Sequence, residues 1–455
     1  LNKESNNSKR KKNLYKSSKA SSRSNSKKQM ISEQESLYQI DSRKTIDDSW
    51  DFRKSNTKEF THCFHQYPAM MIPQVARRIL DNFGNGAKVL FDPYCGTGTS
   101  LVEANLKGIN AIGTDLNPLA RLISSAKTTE IDIQVLDLFL HDFMNYSFSM
   151  NFQTGKIRSV LIPQVKNIDF WFSKDTQYKL AILLKYIDEI NDNHIKNFFK
   201  VAFSETVREA SFVKPGEFKL VRKKNYTEKE EKDVFGIMIS KLSRNKRGLI
   251  EFQEFRRNGA TTIVYDFNTV DRIPENVIKP NSIDIVLTSP PYGDSKTTVA
   301  YGQYSRLSND WLGYKEANKI DNLLMGGKKQ KNHHRFNSEI LNDVIDEIQK
   351  YDKVRAGDVI SFYEDYEKSI SNISKSLKRK GFVCFVVGNR TVKGINIPTD
   401  VITSDFFRSN NFSHIETIVR NIPNKRMPLK NSPSNIVGET APTMKNEYIV
   451  ICQKR

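Results

Sequence analysis

Residues 281–292 read Asn-Ser-Ile-Asp-Ile-Val-Leu-Thr-Ser-Pro-Pro-Tyr, an apolar strand that stops at a hydroxyl pair, two prolines and an aromatic ring. Consecutive prolines cannot continue a central strand. Each lacks the N–H that a ladder needs and fixes its own φ, and each pushes the residue before it into an extended conformation. The backbone must therefore leave the sheet at Pro290 and Pro291 in a stiff form, with its carbonyls turned outward. The result is a rigid hydrogen-bond acceptor with an aromatic lid at Tyr292. Such a loop suits a planar group that carries an exocyclic amine, for instance a nucleobase turned out of its duplex.

A second stretch, residues 88–99, reads Lys-Val-Leu-Phe-Asp-Pro-Tyr-Cys-Gly-Thr-Gly-Thr, and a helical pattern follows it to Gly108. A second short strand, Asn110-Ala-Ile-Gly-Thr114, ends in Asp115. This is the order of a nucleotide-binding α/β unit: glycines let a ligand approach the backbone, and an acid at the end of the second strand accepts hydrogen bonds from ribose hydroxyls. The loop lacks the full G-x-G-x-x-G pattern. It also lacks the G-K-[ST] ending that grips a phosphate, which counts against nucleotide hydrolysis.

Together, Asp92-Pro-Tyr-Cys-Gly-Thr-Gly-Thr99 and Thr288-Ser-Pro-Pro-Tyr292 resemble motifs I and IV of the S-adenosylmethionine-dependent DNA amino-methyltransferases of bacterial restriction–modification systems. Phe64-His-Gln-Tyr-Pro-Ala-Met-Met-Ile-Pro73 is similar to motif X of the same family. The likeness runs from about Thr61 to the C-terminus and is thinnest over 125–255 and 315–357. It implies an α/β fold, a seven-stranded, mostly parallel Rossmann-like sheet whose last strand is antiparallel. S-adenosylmethionine is the implied cofactor, and no metal or covalent intermediate is expected.

The resemblance also assigns roles. Asp92 would face the methionine ammonium, Gly96 and Gly98 would give the backbone room, and Asp115 would accept the ribose hydroxyls. Pro93, Cys95 and Thr99 belong to the same loop. Tyr67 and Pro68 would line the methionine end, and Asp266 would meet the adenine amine. On the reacting side, the Ser289 hydroxyl and the Pro290 carbonyl would accept the amine hydrogens, Pro291 would keep the loop stiff, and Tyr292 would stack on the base. Serine before the two prolines is the family's usual choice for cytosine N4, whereas Asp or Asn is usual for adenine N6. The expected reaction is therefore cytosine-N4 methylation, with adenine N6 as the alternative. An RNA guanine-N2 enzyme and an inactive DNA-binding regulator stand further off. Carbon-5 methylation would need a nucleophilic cysteine in a Pro-Cys loop, and that dipeptide does not occur.

Composition bears on the partner. The chain has 455 residues and a formal net charge of +19. A basic surface gains affinity for nucleic acid through counterion release, so double-stranded DNA is the expected partner. A restriction endonuclease acting on the same site is a further implied partner. No run of eighteen apolar residues occurs, so a membrane partner is not expected and the expected location is the cytoplasm. The four cysteines are scattered, without zinc spacing.

The expected organisation is a disordered basic arm over 1–45, where residues 1–30 carry ten Lys or Arg against one Glu. The catalytic domain would follow in two parts, 46–125 and 259–455. Between them lies a helical and basic insertion, 126–258, expected to recognise the target, and a second insertion spans 314–357. The cluster Phe170-Trp171-Phe172 reads as core of the first insertion. The loop Asn424-Lys-Arg426 is a candidate phosphate contact.

Overall fold

The computed structural model describes residues 44–153, 160–224, 232–257, 259–293, 299–314, 319–328, 335–422, 430–431, 441–442 and 444–455. The strands in chain order are β1 Lys44–Ile46, β2 Val89–Asp92, β3 Asn110–Thr114, β4 Thr262–Tyr265, β5 Ile283–Thr288, β6 Leu377–Val387, β7 Arg390–Val392, β8 Ile395–Ile397, β9 Phe412–Asn421, β10 Lys430–Asn431, β11 Ala441–Pro442 and β12 Asn446–Lys454. Eight of them form one sheet in the order β1-β9-β12-β6-β5-β2-β3-β4. Every neighbouring pair in it is parallel except those made by β12, which runs antiparallel to both β6 and β9.

Seven of these strands are the expected ones, and the eighth is an addition. Of the arm expected over 1–45, residues 1–43 lie outside the described residues, while Lys44 and Thr45 open β1 and pair with Thr417 and Ile418. The Lys44 ammonium pins this edge to Asp400 at 2.7 Å.

Both faces of the sheet are buried, which is why its central strands read as near-continuous apolar runs. Alternate residues of β5 and β6 divide between two cores. Ile285, Leu287, Cys384 and Val386 face helices Pro73–Phe83 and Thr99–Leu106. Val286, Val383, Phe385 and Val387 face helices Lys353–Ser376 and Thr399–Ser409.

The helical insertion forms helices Ile133–Gln153, Lys174–Glu189, Asn193–Ala210 and Val234–Phe255. Their starts are written in the sequence: the Ser173, Asp192 and Asp233 side chains each accept a hydrogen bond from a first-turn N–H. The insertion does not have a core of its own. Leu180, Phe198, Phe199 and Phe203 share one cluster with Phe64, Tyr67, helix Pro118–Thr128 and helix Tyr301–Trp311. Within the Phe170–Phe172 cluster only Phe172 is fully buried; Phe170 is exposed beneath the Arg222 guanidinium, 4.2 Å from its ring centre. Much of the second insertion likewise belongs to the sheet, because Phe336, Leu341, Val344 and Ile348 pack into the core beside Phe362. The loop Asn424–Arg426 lies outside the described residues.

Candidate active site

In the strand order β6-β5-β2-β3, the connections from β2 run to one side and β5 lies on the other. This is the switch point at which open α/β sheets bind ligands, beyond the carboxyl ends of the strands. A cleft opens there, about 960 Å³ including its solvent-open mouth. Cys95 and Ser289, on the β2 and β5 loops, both line it.

Strand β2 delivers Asp92 to the floor. Its carboxylate accepts hydrogen bonds from Tyr94 N at 3.1 Å, from Thr288 Oγ1 at 2.5 Å and from Ser100 Oγ. The Thr288 bond ties the two motif loops together across neighbouring strands. Burial pushes the Asp92 pKa up to about 6 against the lowering effect of those donors. Asp115, at the end of β3, accepts from Asn117 N at 2.7 Å and Gly96 N at 3.1 Å, and burial also pushes it up to about 6. Two desolvated carboxyls of raised pKa in one cleft are a feature of functional sites.

The two motif glycines do different work. Gly96 lines the cleft at φ 48°, and a Cβ added there would meet nothing within 4 Å, so the space over it is free for a ligand. Gly98, at φ 77°, does not line the cleft; a Cβ there would stand 2.8 Å from Ser124 Cβ. Its bareness admits the helix Pro118–Thr128 against the loop.

Of the other expected cofactor residues, Tyr67, Pro68, Asp92, Pro93, Cys95, Thr99 and Asp115 all line the cleft. Asp266 does not. It is exposed, and Phe267, Asn268 and Thr269, the next three residues, occupy the wall instead. On the reacting side, Ser289 and Pro291 line the cleft, whereas Pro290 and Tyr292 do not. The Tyr292 ring lies against Gly388, where a Cβ would come within 2.7 Å of its Cδ2. Its hydroxyl stands 3.2 Å from Ser289 Oγ and 3.1 Å from Glu447 Oε1.

Asn117 lies outside the expected site residues. Asn117 is buried, donates to Tyr67 Oη at 2.8 Å and to Ser305 Oγ at 2.9 Å, and accepts from Leu119 N and Asn309 Nδ2 at 3.2 Å each. One amide thereby joins the motif X segment, the β3 loop and helix Tyr301–Trp311. Its signal was present in the sequence, an Asn directly before a Pro at a helix start. Tyr301 stacks on Tyr67, with centroids 6.1 Å apart and planes 21° from parallel, and walls the cleft.

These residues fit a ligand with a cationic amino acid end and a ribose. Two carboxylates, a backbone cradle free of Cβ at Gly96, and the apolar side chains of Met71, Leu116 and Phe267 occur in one cleft. Among the described residues no cluster of three or more acidic, His or Cys side chains could hold a metal. No described helix is long and apolar enough to cross a membrane.

A family model described as DNA methylase (N6_N4_Mtase) matches residues 6–124. The chain is 40% identical over 424 residues to the type II methyltransferase M.MvaI of Kocuria varians, an alignment that spans 88% of this chain and 92% of that protein. It is 31% identical over 160 residues to the type II methyltransferase M.MjaII of Methanocaldococcus jannaschii, covering 33% of this chain and 28% of that one. A 53-residue stretch, 11% of this chain, is 42% identical to part of a tRNA (guanine(10)-N2)-dimethyltransferase of Methanothermobacter thermautotrophicus, 16% of its length. Near-complete alignment with the Kocuria varians enzyme, together with both motif loops on one cleft, means that the chain belongs to the DNA amino-methyltransferases of restriction–modification systems, which depend on S-adenosylmethionine.

Proposed function

We propose that the chain methylates N4 of cytosine at a specific site in duplex DNA, on a base turned out of the helix into the cleft. The observation that carries this reading is Ser289, which stands before the paired prolines in the same cleft as Asp92 and Gly96. The exocyclic amine is a poor nucleophile because its lone pair is delocalised into the ring. The loop's task is to hold it in line and to accept its hydrogens as the nitrogen becomes tetrahedral. Ser289 Oγ and the Pro290 carbonyl are the acceptors, and the two prolines hold them still. Tyr292 stacks on the base once the duplex is bound. When bound, S-adenosylmethionine supplies an electrophilic sulfonium methyl. Asp92 would hold its ammonium, Asp115 its ribose, Tyr67 and Pro68 its methionine end, and Phe267 and Asn268 its adenine.

The net charge of +19 supports duplex DNA as the substrate. Target recognition falls to the helical region 126–258, with 314–357 sharing the task. What supports this is its direct packing on the cleft wall: Arg208 donates to Tyr304 O at 3.0 Å, and Ser308 donates to Ser204 O at 2.7 Å. A restriction endonuclease cutting the same site is the implied partner, and the cytoplasm the implied place of action. Transfer of tritiated methyl groups to DNA, followed by nucleoside chromatography, tests the reading. Label is expected in N4-methylcytosine. Label confined to N6-methyladenine would overturn the choice of base.

A further inference from the structure

Ser289 can serve as an acceptor only if its own proton points elsewhere, and a serine hydroxyl is free to rotate. The residues behind the catalytic loop determine where that proton goes. Arg420, on β9, is 1% exposed. Its Nε donates to Trp50 O at 2.8 Å, Nη2 donates to Asp51 O at 3.3 Å, and Nη1 donates to Glu447 Oε2. Three donors spent on fixed acceptors leave the guanidinium no second orientation. Glu447 lies directly opposite Arg420 in the antiparallel register of β12 with β9. Its other oxygen, Oε1, faces the Tyr292 hydroxyl at 3.1 Å, and that hydroxyl faces Ser289 Oγ at 3.2 Å.

Each link has only one possible direction. A guanidinium can only donate and a carboxylate can only accept, so the Tyr292 proton must point at Glu447. Burial, followed by the Glu447 charge, holds the Tyr292 hydroxyl well above the usual phenol range, so it keeps that proton. The Tyr292 oxygen is then left as an acceptor, and Ser289 donates to it. The remaining lone pairs of Ser289 Oγ are left for an N–H in the cleft.

We propose that Glu447 and Arg420 are positioning residues that set the hydrogen-bond polarity of the catalytic loop, acting through Tyr292 to fix Ser289 as an acceptor for the amine of the target base. The inference rests on the amino-methyltransferase reading and adds to it a reason why the loop favours an amine over a carbonyl at that position. A base presenting a carbonyl oxygen there would need a donor from Ser289, which this chain of bonds withholds.

Glu447→Gln tests the polarity with little change of shape. The Gln carbonyl must serve Arg420, so its NH2 faces the Tyr292 oxygen. The Tyr292 proton then turns to Ser289, and the Ser289 proton swings into the cleft. Expected is a fall in kcat of roughly ten- to a hundredfold, the range for hydrogen bonds to charged groups. Cofactor affinity by calorimetry should be unchanged, while the melting temperature should fall, because the substitution removes the charge that faces the buried Arg420 guanidinium. Because Glu447 acts through the Tyr292 hydroxyl, Glu447→Gln added to Tyr292→Phe should cost no further activity. Wild-type kcat in Glu447→Gln would overturn the proposal. So would losses that multiply in the double variant, or a loss of cofactor binding that follows the loss of kcat. Transfer by the wild type to duplex DNA is the control for the methyltransferase reading. A failed cycle beside an active wild type therefore removes only the assignment of Glu447 and Arg420.

Discussion

The cleft has two walls built in different ways. Most of the wall proposed for the cofactor comes from one continuous stretch, residues 92–117, where β2, a glycine loop, a helix and β3 follow each other with short connections, and Tyr67, Pro68 and Phe267 complete it from outside that stretch. The wall proposed for the base is assembled from remote pieces, Ser289 after β5 and Tyr301 at the start of a helix, and Gly388 after β6 and Glu447 on β12 brace it from behind through Tyr292. A wall made by local sequence is fixed by turn geometry. A wall made at long range is fixed only when the whole sheet has formed, so substitutions on the two sides should separate binding from catalysis.

The largest expected effect is on the cofactor side. Gly96→Val puts a branched side chain into the free space of the cleft at a φ of 48°, a left-handed conformation that resists β-branching. Cofactor Kd should rise by about a hundredfold or more in calorimetry, since the loss combines that strain with direct exclusion of the ligand. Retained affinity would show that Gly96 does not face the ligand. Next comes the base side: Ser289→Ala should lower kcat by roughly ten- to a hundredfold while the cofactor Kd stays put, as expected for a hydrogen bond formed in the transition state.

A pH titration probes the two cofactor acids without mutation. Asp92 and Asp115 sit at about 6, above the ordinary value of 3.8. Between those values the folded protein binds more protons than the unfolded chain, so free-protein stability decreases as pH rises through that window. Cofactor binding should move in the opposite direction, because a cationic ammonium and ribose hydroxyls both favour the ionised carboxylates. Affinity should fall roughly tenfold per pH unit below 6 for each carboxylate that must ionise. A Kd that stays flat from pH 7 to pH 5 would remove both acids from the binding step.

The smallest effect separates the two glycines. Gly98→Ala should cost about 1–2 kcal/mol of stability, from its left-handed backbone and the approach of Ser124. The melting temperature should drop by a few degrees with the cofactor Kd nearly unaltered. Ser124→Gly should restore part of the loss. A Gly98→Ala protein that keeps its melting temperature but loses the cofactor would reverse the roles assigned to Gly96 and Gly98.

The legibility of the sequence follows the same division. Strand β3 is found at the residues read for it, Asn110–Thr114, because an apolar run between Gly108 and Asp115 has no other use. The stop after β5 was equally plain from Pro290 and Pro291. At Asp266 the sequence is less exact, because a strand end is known only to within a residue or two, and one step along the chain exchanges an exposed acid for Phe267 in the wall. Edge strand β1 escaped notice, as three residues reading Lys-Thr-Ile carry no periodicity, and pairing with β9 alone makes them a strand. The shared core of Phe64, Phe198 and Trp311 was beyond reach for a similar reason: helical spacing marks which side chains are buried, and says nothing of which helix they meet.

Strand β12 fills a slot between β6 and β9, both of which precede it in the chain. Both are therefore synthesised before it, and the carboxylate of Glu447 reaches Tyr292 only once β12 has paired between them. The glycine loop and β3 emerge hundreds of residues earlier, so a nascent chain has its donor site long before its reaction centre is braced. Bracing of the reaction centre through Glu447 thereby waits for β12.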